Sequence, residues 1–492
     1  MGAGKLVLNF PAPEQVGCVR TGFIRRRWIN MDKENSIKNN SVYVKWMVSI
    51  LVMISPLLLP VSSPIKAFII ITLWAIMMWV FELISEAVVG ILIPVLYVLF
   101  HVAAPTVAFS GWLTSTPWIT IGGLMISSVF ISSGLAKRIA YRTLILTGGS
   151  FHGIVIGFTI TCIILTPIIP SVMAKIALMA PLMIGVCQVL GLEKKDKTAS
   201  ALMLVVFLAL WSPKMAFLTA SADSVMTASI LSQHYEYTLS WIGWAKDMFL
   251  PAILWTLVSV SLIYILRPEK IQLEKSYLQT QYDALGAMTV REKKTIAMAV
   301  ILLLLLATDA LHHIDPAWIM MGTGALCFHP GIGLSKQEDF NKLNFSIVFY
   351  LVGALSIGNV MTSLGITQTI VEVITPFFAE KTNFFLVIWI YIFANLSNFV
   401  LNPLALIATL VGPMADICGN LGYTPVLGGY AMIMGFNQAL FPYQLAPLML
   451  LYGFGYLKMG HLLKLMAVRI LAGLAFISLV TYPYWRLIGL ID

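Results

Sequence analysis

Long apolar runs separated by short polar stretches dominate the chain. Trp46 to Val61 and Thr295 to Ala307 carry almost no charge, and similar runs recur to the C-terminus. Continuous runs of this kind predict membrane helices, because lipid leaves every backbone polar group to be satisfied within its own segment. A membrane β-barrel would instead alternate apolar and polar residues over about ten positions. The pattern predicts spans at about 45–62, 66–84, 87–105, 117–135, 151–169, 171–190, 200–220 and 242–266. They resume at about 295–314, 317–333, 344–364, 383–400, 402–420, 425–445 and 464–486.

Polar stretches divide the chain into four regions. Residues 1–44, with Arg25-Arg26-Arg27, read as a polar cytoplasmic N-terminal tail, and Met31-Asp32-Lys33-Glu34 as a second start. Residues 45–266 form a first membrane repeat with leading scaffold helices. Residues 267–294 are a polar linker, and residues 295–492 form a second membrane repeat. Gly122-Gly123 and Gly134 match Val352-Gly353 and Gly365; Pro181, Cys187, Leu190 and Gly191 match Pro413, Cys418, Leu421 and Gly422; Pro213 matches Pro442. The offsets, 230–231, 231–232 and 229 residues, are nearly constant. Pro167, Pro170, Pro213, Pro403 and Pro442 interrupt apolar runs, and a proline there removes a backbone donor and unwinds the helix. A doubled half with breaks at equivalent places predicts a secondary transporter whose substrate sits where the broken helices meet.

Composition agrees. Of 492 residues 59% are apolar and 11% charged, against about a quarter charged in soluble domains. The net charge of +9 places the membrane, not nucleic acid, as the partner, since Lys and Arg gather in cytoplasmic loops. Cys18, Cys162, Cys187, Cys327 and Cys418 stand singly, giving neither a disulfide framework nor a metal site. HExxH and Gly-x-Ser-x-Gly are absent, which argues against a membrane enzyme and leaves no catalytic residues to name. A channel would need no paired breaks.

Several short motifs carry a family resemblance. Trp79 with Glu86-Ala87, Ser133-Gly134-Leu135-Ala136-Lys137-Arg138-Ile139-Ala140, and Tyr452-Gly453-Phe454-Gly455-Tyr456 are similar to signatures of the divalent anion/sodium symporter family of dicarboxylate, citrate and sulfate carriers. The likeness runs from about residue 45 to 488. It implies an all-α polytopic membrane protein of two inverted-topology repeats, each with a re-entrant hairpin and a broken helix. It further implies an elevator-type homodimer in the cell (inner or plasma) membrane. Sodium ions would be coupling ions, with no other cofactor. The family's Ser-Asn-Thr tips fall at Ser171-Val172-Met173 and Leu401-Asn402-Pro403. Its Thr-Pro-Pro-Asn breaks fall at Ala220-Ser221-Ala222-Asp223 and Leu445-Ala446-Pro447-Leu448. One serine and one asparagine survive at the tips, and one proline at the second break.

The expected function is secondary active transport of a small anion of the dicarboxylate, tricarboxylate or sulfate class, by sodium coupling or exchange. A sodium/proton antiporter of related fold is the alternative, and Asp223 is its best-placed acid. Ser171, Lys175, Lys214, Asn402 and Pro403 are the expected substrate contacts. The two lysines lie inside apolar stretches, where a charge costs at least about 2.5–3.5 kcal/mol and asks for a partner. They offset the lost tip hydroxyls and can replace a coupling sodium; snorkelling to the headgroups is the plainer reading. Ser221, Asp223, Asn398 and Asn437 are the expected ion ligands, although amides in membranes also simply bridge helices. Glu82 and Glu86, one turn apart, read as interfacial scaffold, and His312-His313 with Asp315 as a solvated turn.

Overall fold

In a computed structural model the protein is described over residues 43–491, except 59, 82, 235–238 and 379–380. The arginine run, Cys18 and Glu82 therefore lie outside the described residues. Two units are separable. The first contains one apolar helix, α1 (Tyr43–Leu57). The second, from Pro60 onward, holds all that follows.

The described residues are helical, with one isolated bridge between Ser150 and Gln272. Among the described residues eight helices are long and apolar enough to cross a membrane. The second unit opens with α2 (Ser63–Phe81) and α3 (Glu86–Leu99). Next come α4 (Ser115–Ser133), α5 (Leu135–Thr147), α6 (Phe151–Leu165), α7 (Val172–Val189), α8 (Lys197–Trp211), α9 (Ala222–His234) and α10 (Trp241–Ser261). The polar linker is not featureless: it folds α11 (Lys275–Asp283) against α5 before α12 (Val290–Ala307) and α13 (Pro316–Cys327). The repeat then returns as α14 (Ser346–Ser363), α15 (Ile366–Phe378), α16 (Asn383–Ser397), α17 (Pro403–Asn420), α18 (Pro425–Phe436), α19 (Ala446–Gly453) and α20 (Met459–Phe476).

Each element has its local cause. Gly134 and Gly365, at equivalent places, turn α4 into α5 and α14 into α15 with φ of 79° and 73°, a backbone conformation open to glycine. Serine or asparagine caps the second arm of each hairpin: Ser171 Oγ accepts from Ala174 N at 3.2 Å and Asn402 Oδ1 from Ala405 N at 3.0 Å. Both hairpins, α6–α7 and α16–α17, thus turn on a capping residue. α8–α9 and α18–α19 are each one helix interrupted, over 212–221 and 437–445. The order of the first repeat, a long helix, a short helix, a hairpin and a broken helix, returns in the second as α14, α15, α16–α17 and α18–α19.

Glycine brings the non-hairpin helices together. A Cβ on Gly122 would lie 2.5 Å from the Met320 backbone of α13, and one on Gly353 would overlap the Gly90 backbone of α3. Close small-residue crossings are the ordinary way membrane helices gain contact area. The linker is tied down by Arg138, whose Nε donates to Glu292 Oε1 at 2.6 Å and whose Nη1 donates to Gly286 O at 3.0 Å. Cys162, Cys187, Cys327 and Cys418 are buried free thiols. α8 is buried from Thr198 to Trp211. It forms the middle of the half that holds both breaks.

Candidate substrate cavity

A cavity of about 330 Å³ lies where the two hairpin tips meet the two helix breaks. Ser171 and Val172, Ser221 to Asp223, Asn402 and Pro403, and Leu445 to Pro447 all line it. These are the N-terminal ends of α7, α9, α17 and α19. Four helix N-termini therefore face one space, each with unpaired backbone donors or a partial positive charge. Such ends are anion sites in their own right.

Of the nine residues expected from sequence, Ser171, Ser221, Asp223, Asn398, Asn402 and Pro403 line the cavity. Ser221 Oγ lies 3.3 Å from Ser224 Oγ. Asn402 Oδ1 also accepts from Tyr350 OH at 2.6 Å, so the scaffold helix α14 reaches the second tip directly. Asn398 Nδ2 donates to Gln438 O at 2.6 Å, while its Oδ1 is buried without a partner.

The other three stand behind the wall. Lys214 forms an ion pair with Asp223 and lies 3.1 Å from the centre of the Trp211 ring, a cation over an aromatic face. Its charge reaches the cavity only through that carboxylate. Lys175, one turn inside α7, is fully buried and its Nζ has no hydrogen-bond partner. Neither lysine snorkels. Asn437 faces away from the cavity: Nδ2 donates to Trp211 O at 3.2 Å, and Oδ1 accepts from Trp255 Nε1 and Arg469 Nη2 at 3.2 and 2.5 Å. A cation placed on that oxygen would meet a guanidinium.

Arg469 itself escaped the sequence reading. It is the lone arginine within the α20 helix, and it is 1% exposed. Nη1 donates to Asn437 O at 2.8 Å and Gln438 Oε1 at 2.9 Å, and Nη2 reaches Ser212 Oγ at 3.2 Å. The guanidinium thus sits at the C-terminal ends of both α8 and α18, whose carbonyls carry partial negative charge. Trp211 Nε1 completes the stitch to Asn437 O at 2.8 Å. Gln444 closes the second break by accepting from Leu440 N and Phe441 N at 2.7 Å each and donating to Asn398 O at 3.0 Å. A signal for Arg469 was present in the sequence, as an unexplained charge in an apolar run.

Glu86 also lines the cavity. Asp315 caps α13 through Ala317 N at 2.7 Å and accepts from Ser115 at 2.9 Å, leaving the His312-His313 turn with no metal-binding arrangement. Among the described residues no group of three or more His, Cys, Asp or Glu side chains is placed to hold a metal.

Comparison with known proteins agrees with this architecture. The family model for the sodium:sulfate symporter transmembrane region matches residues 35–491. A membrane protein of Cupriavidus necator is 25% identical over 85% of this chain and 86% of its own. An L-tartrate/succinate antiporter of Shigella dysenteriae is 24% identical over 73% of this chain and 76% of its own. The crystal structure of the Alcanivorax borkumensis YdaH transporter, described as having an unusual topology, shares the fold at a TM-score of 0.53 and 15% identity, covering 79% of this chain and 89% of its own. With two inverted repeats, two hairpin tips and two helix breaks closing on one cavity, the chain belongs to the sodium:sulfate symporter family and is a membrane-spanning secondary anion transporter, not an enzyme.

Proposed function

We propose that this transporter exchanges small carboxylate anions, with fixed lysines in place of a coupling sodium. The observation that carries the reading is the convergence of four helix N-termini on one cavity. Each end favours an anion by about 0.3–1 kcal/mol, more where it is desolvated. Ser171 and Asn402 hold the carboxylates at the two tips, and Pro403 starts α17 without a competing backbone donor. Lys175, buried and unpartnered, gains its counter-charge when the anion arrives one turn away. The Lys214–Asp223 pair, beside Ser221, fills the first break. The tartrate/succinate exchange named for the Shigella relative supports a di- or tricarboxylate over an inorganic ion.

A sodium-coupled cycle is the second reading, favoured by the buried, unpartnered Oδ1 of Asn398 at the second tip and by the family's name. The arrangement is a homodimer in the plasma membrane, its two hairpins and two broken helices sliding as a unit against the remaining helices. Residues 45–266 and 295–492 serve as the repeats. The start of α8, beside Lys194 and Lys195, touches the linker: Lys197 pairs with Glu269 at 3.1 Å and Glu269 N donates to Thr198 Oγ1 at 2.9 Å, next to Arg267 and Lys270. This basic face supports a cytoplasmic linker and N-terminus.

Labelled succinate counterflow in proteoliposomes separates the readings. Exchange without sodium, abolished by Lys175→Met in protein that still folds, is the expected result. Uptake strictly dependent on a sodium gradient and indifferent to Lys175→Met overturns the fixed-cation reading.

A further inference from the structure

The cavity is larger than a sulfate ion or a four-carbon diacid fills, and most of its wall is apolar. Trp79, Trp211, Tyr350, Phe399 and Tyr443 supply rings around it. At the hairpin tips, where the anion is held, Val172, Met173, Leu401 and Leu404 turn side chains without hydrogen-bonding capacity to the same space. The polar lining is largely committed already. Asn402 Oδ1 accepts from Tyr350 and from its own helix, Ser221 is within reach of Ser224, and Asp223 is neutralised by Lys214. Asn398 Oδ1 is left as an open acceptor, but further hydroxyl groups on a substrate would be stripped of water against these surfaces and left without partners. A hydrocarbon body would instead displace poorly held water and gain contact with rings.

We propose, resting on the carrier reading above, that the substrate is an amphipathic carboxylate: an acid whose carboxylates meet the helix N-termini and whose aryl or branched alkyl body packs between the hairpin tips and the aromatic wall. Sulfate and hydroxylated diacids are then poor ligands. Met173, 41% exposed and at the first tip, sets the preference.

The test uses purified full-length protein and a charge-matched series of succinate, methylsuccinate, phenylsuccinate and tartrate, with sulfate alongside. Binding is read as thermal stabilisation in detergent, and transport as exchange against internal acid in proteoliposomes. The expected order is phenylsuccinate, methylsuccinate, succinate, then tartrate and sulfate. Phenylsuccinate should act at a concentration at least about tenfold below succinate. Met173→Thr should narrow that ratio, weakening phenylsuccinate more than succinate. Should succinate and tartrate exchange while the phenyl group brings no gain in affinity, the apolar-body inference is overturned and the carrier reading stands. If no member of the series stabilises the protein or exchanges, both fall.

Discussion

Lys214 shows what a single membrane charge requires. It is 1% exposed, its ammonium rests on Trp211, and Asp223 is its carboxylate partner. Removing one member of such a pair leaves an uncompensated buried charge, which costs about 3–5 kcal/mol. Asp223→Asn should therefore lower the unfolding midpoint in detergent sharply. The double variant Lys214→Met with Asp223→Leu should recover most of the loss, since the two effects share one contact; equal damage from single and double variants would refute the pairing. Proximity in sequence made this pair legible, nine residues apart around one break. Arg469 was not legible in the same way. Its partners come from Ser212 and from Asn437-Gln438, and nothing local in α20 announces them. Arg469→Met leaves several buried carbonyl and amide oxygens unmatched, at about 1–3 kcal/mol each. We expect loss of folded protein on size-exclusion chromatography, partly rescued by Arg469→Lys.

Elements are held in place by polar contacts at their ends. α12 starts with a capping box in which Thr289 and Glu292 satisfy each other's backbone donors, and the same Glu292 receives Arg138 from α5. The hydrogen bond from Arg138 holds the Glu292 carboxyl below its ordinary 4.5 against the opposing effect of burial. For a carboxyl whose folded value is depressed, the stabilisation is complete above the unfolded value and is lost as pH falls through the folded one. Thermal midpoints should thus decline below about pH 4.5, and Glu292→Gln should flatten that decline while lowering the midpoint at neutral pH. An unchanged acid limb in the variant would assign the effect elsewhere. The breaks were readable from Pro213 and Pro442, because proline acts within a turn, whereas the hairpin tips at Ser171 and Asn402 followed from the family resemblance and their capping role emerged only in the structure. The depth to which α8 is buried was not readable either, since an all-apolar helix reads alike whether it faces lipid or protein.

At the scale of the molecule, two sets of helices meet across a thin partition. Gly123 of α4 faces the first hairpin tip, where a Cβ would lie 2.8 Å from the Pro170 ring. If the hairpins move against α4 during transport, bulk at this point should arrest the motion. Gly123→Ala, the smallest addition at a position that also lines the cavity, is expected to fold and to lower exchange; retention of full exchange would remove Gly123 from the moving surface. The chain's own pattern determined the membrane setting, the doubled halves and the two interruptions. Hydrophobic period and proline operate over a few residues, so a linear reading captures them. The tertiary structure alone decided which polar groups face the cavity and which stand behind it, turning Asn437 toward Arg469, bringing Tyr350 onto Asn402 and surrounding the tips with rings. Those choices depend on contacts across tens to hundreds of residues, where burial sets each partner and sequence spacing carries no record of it.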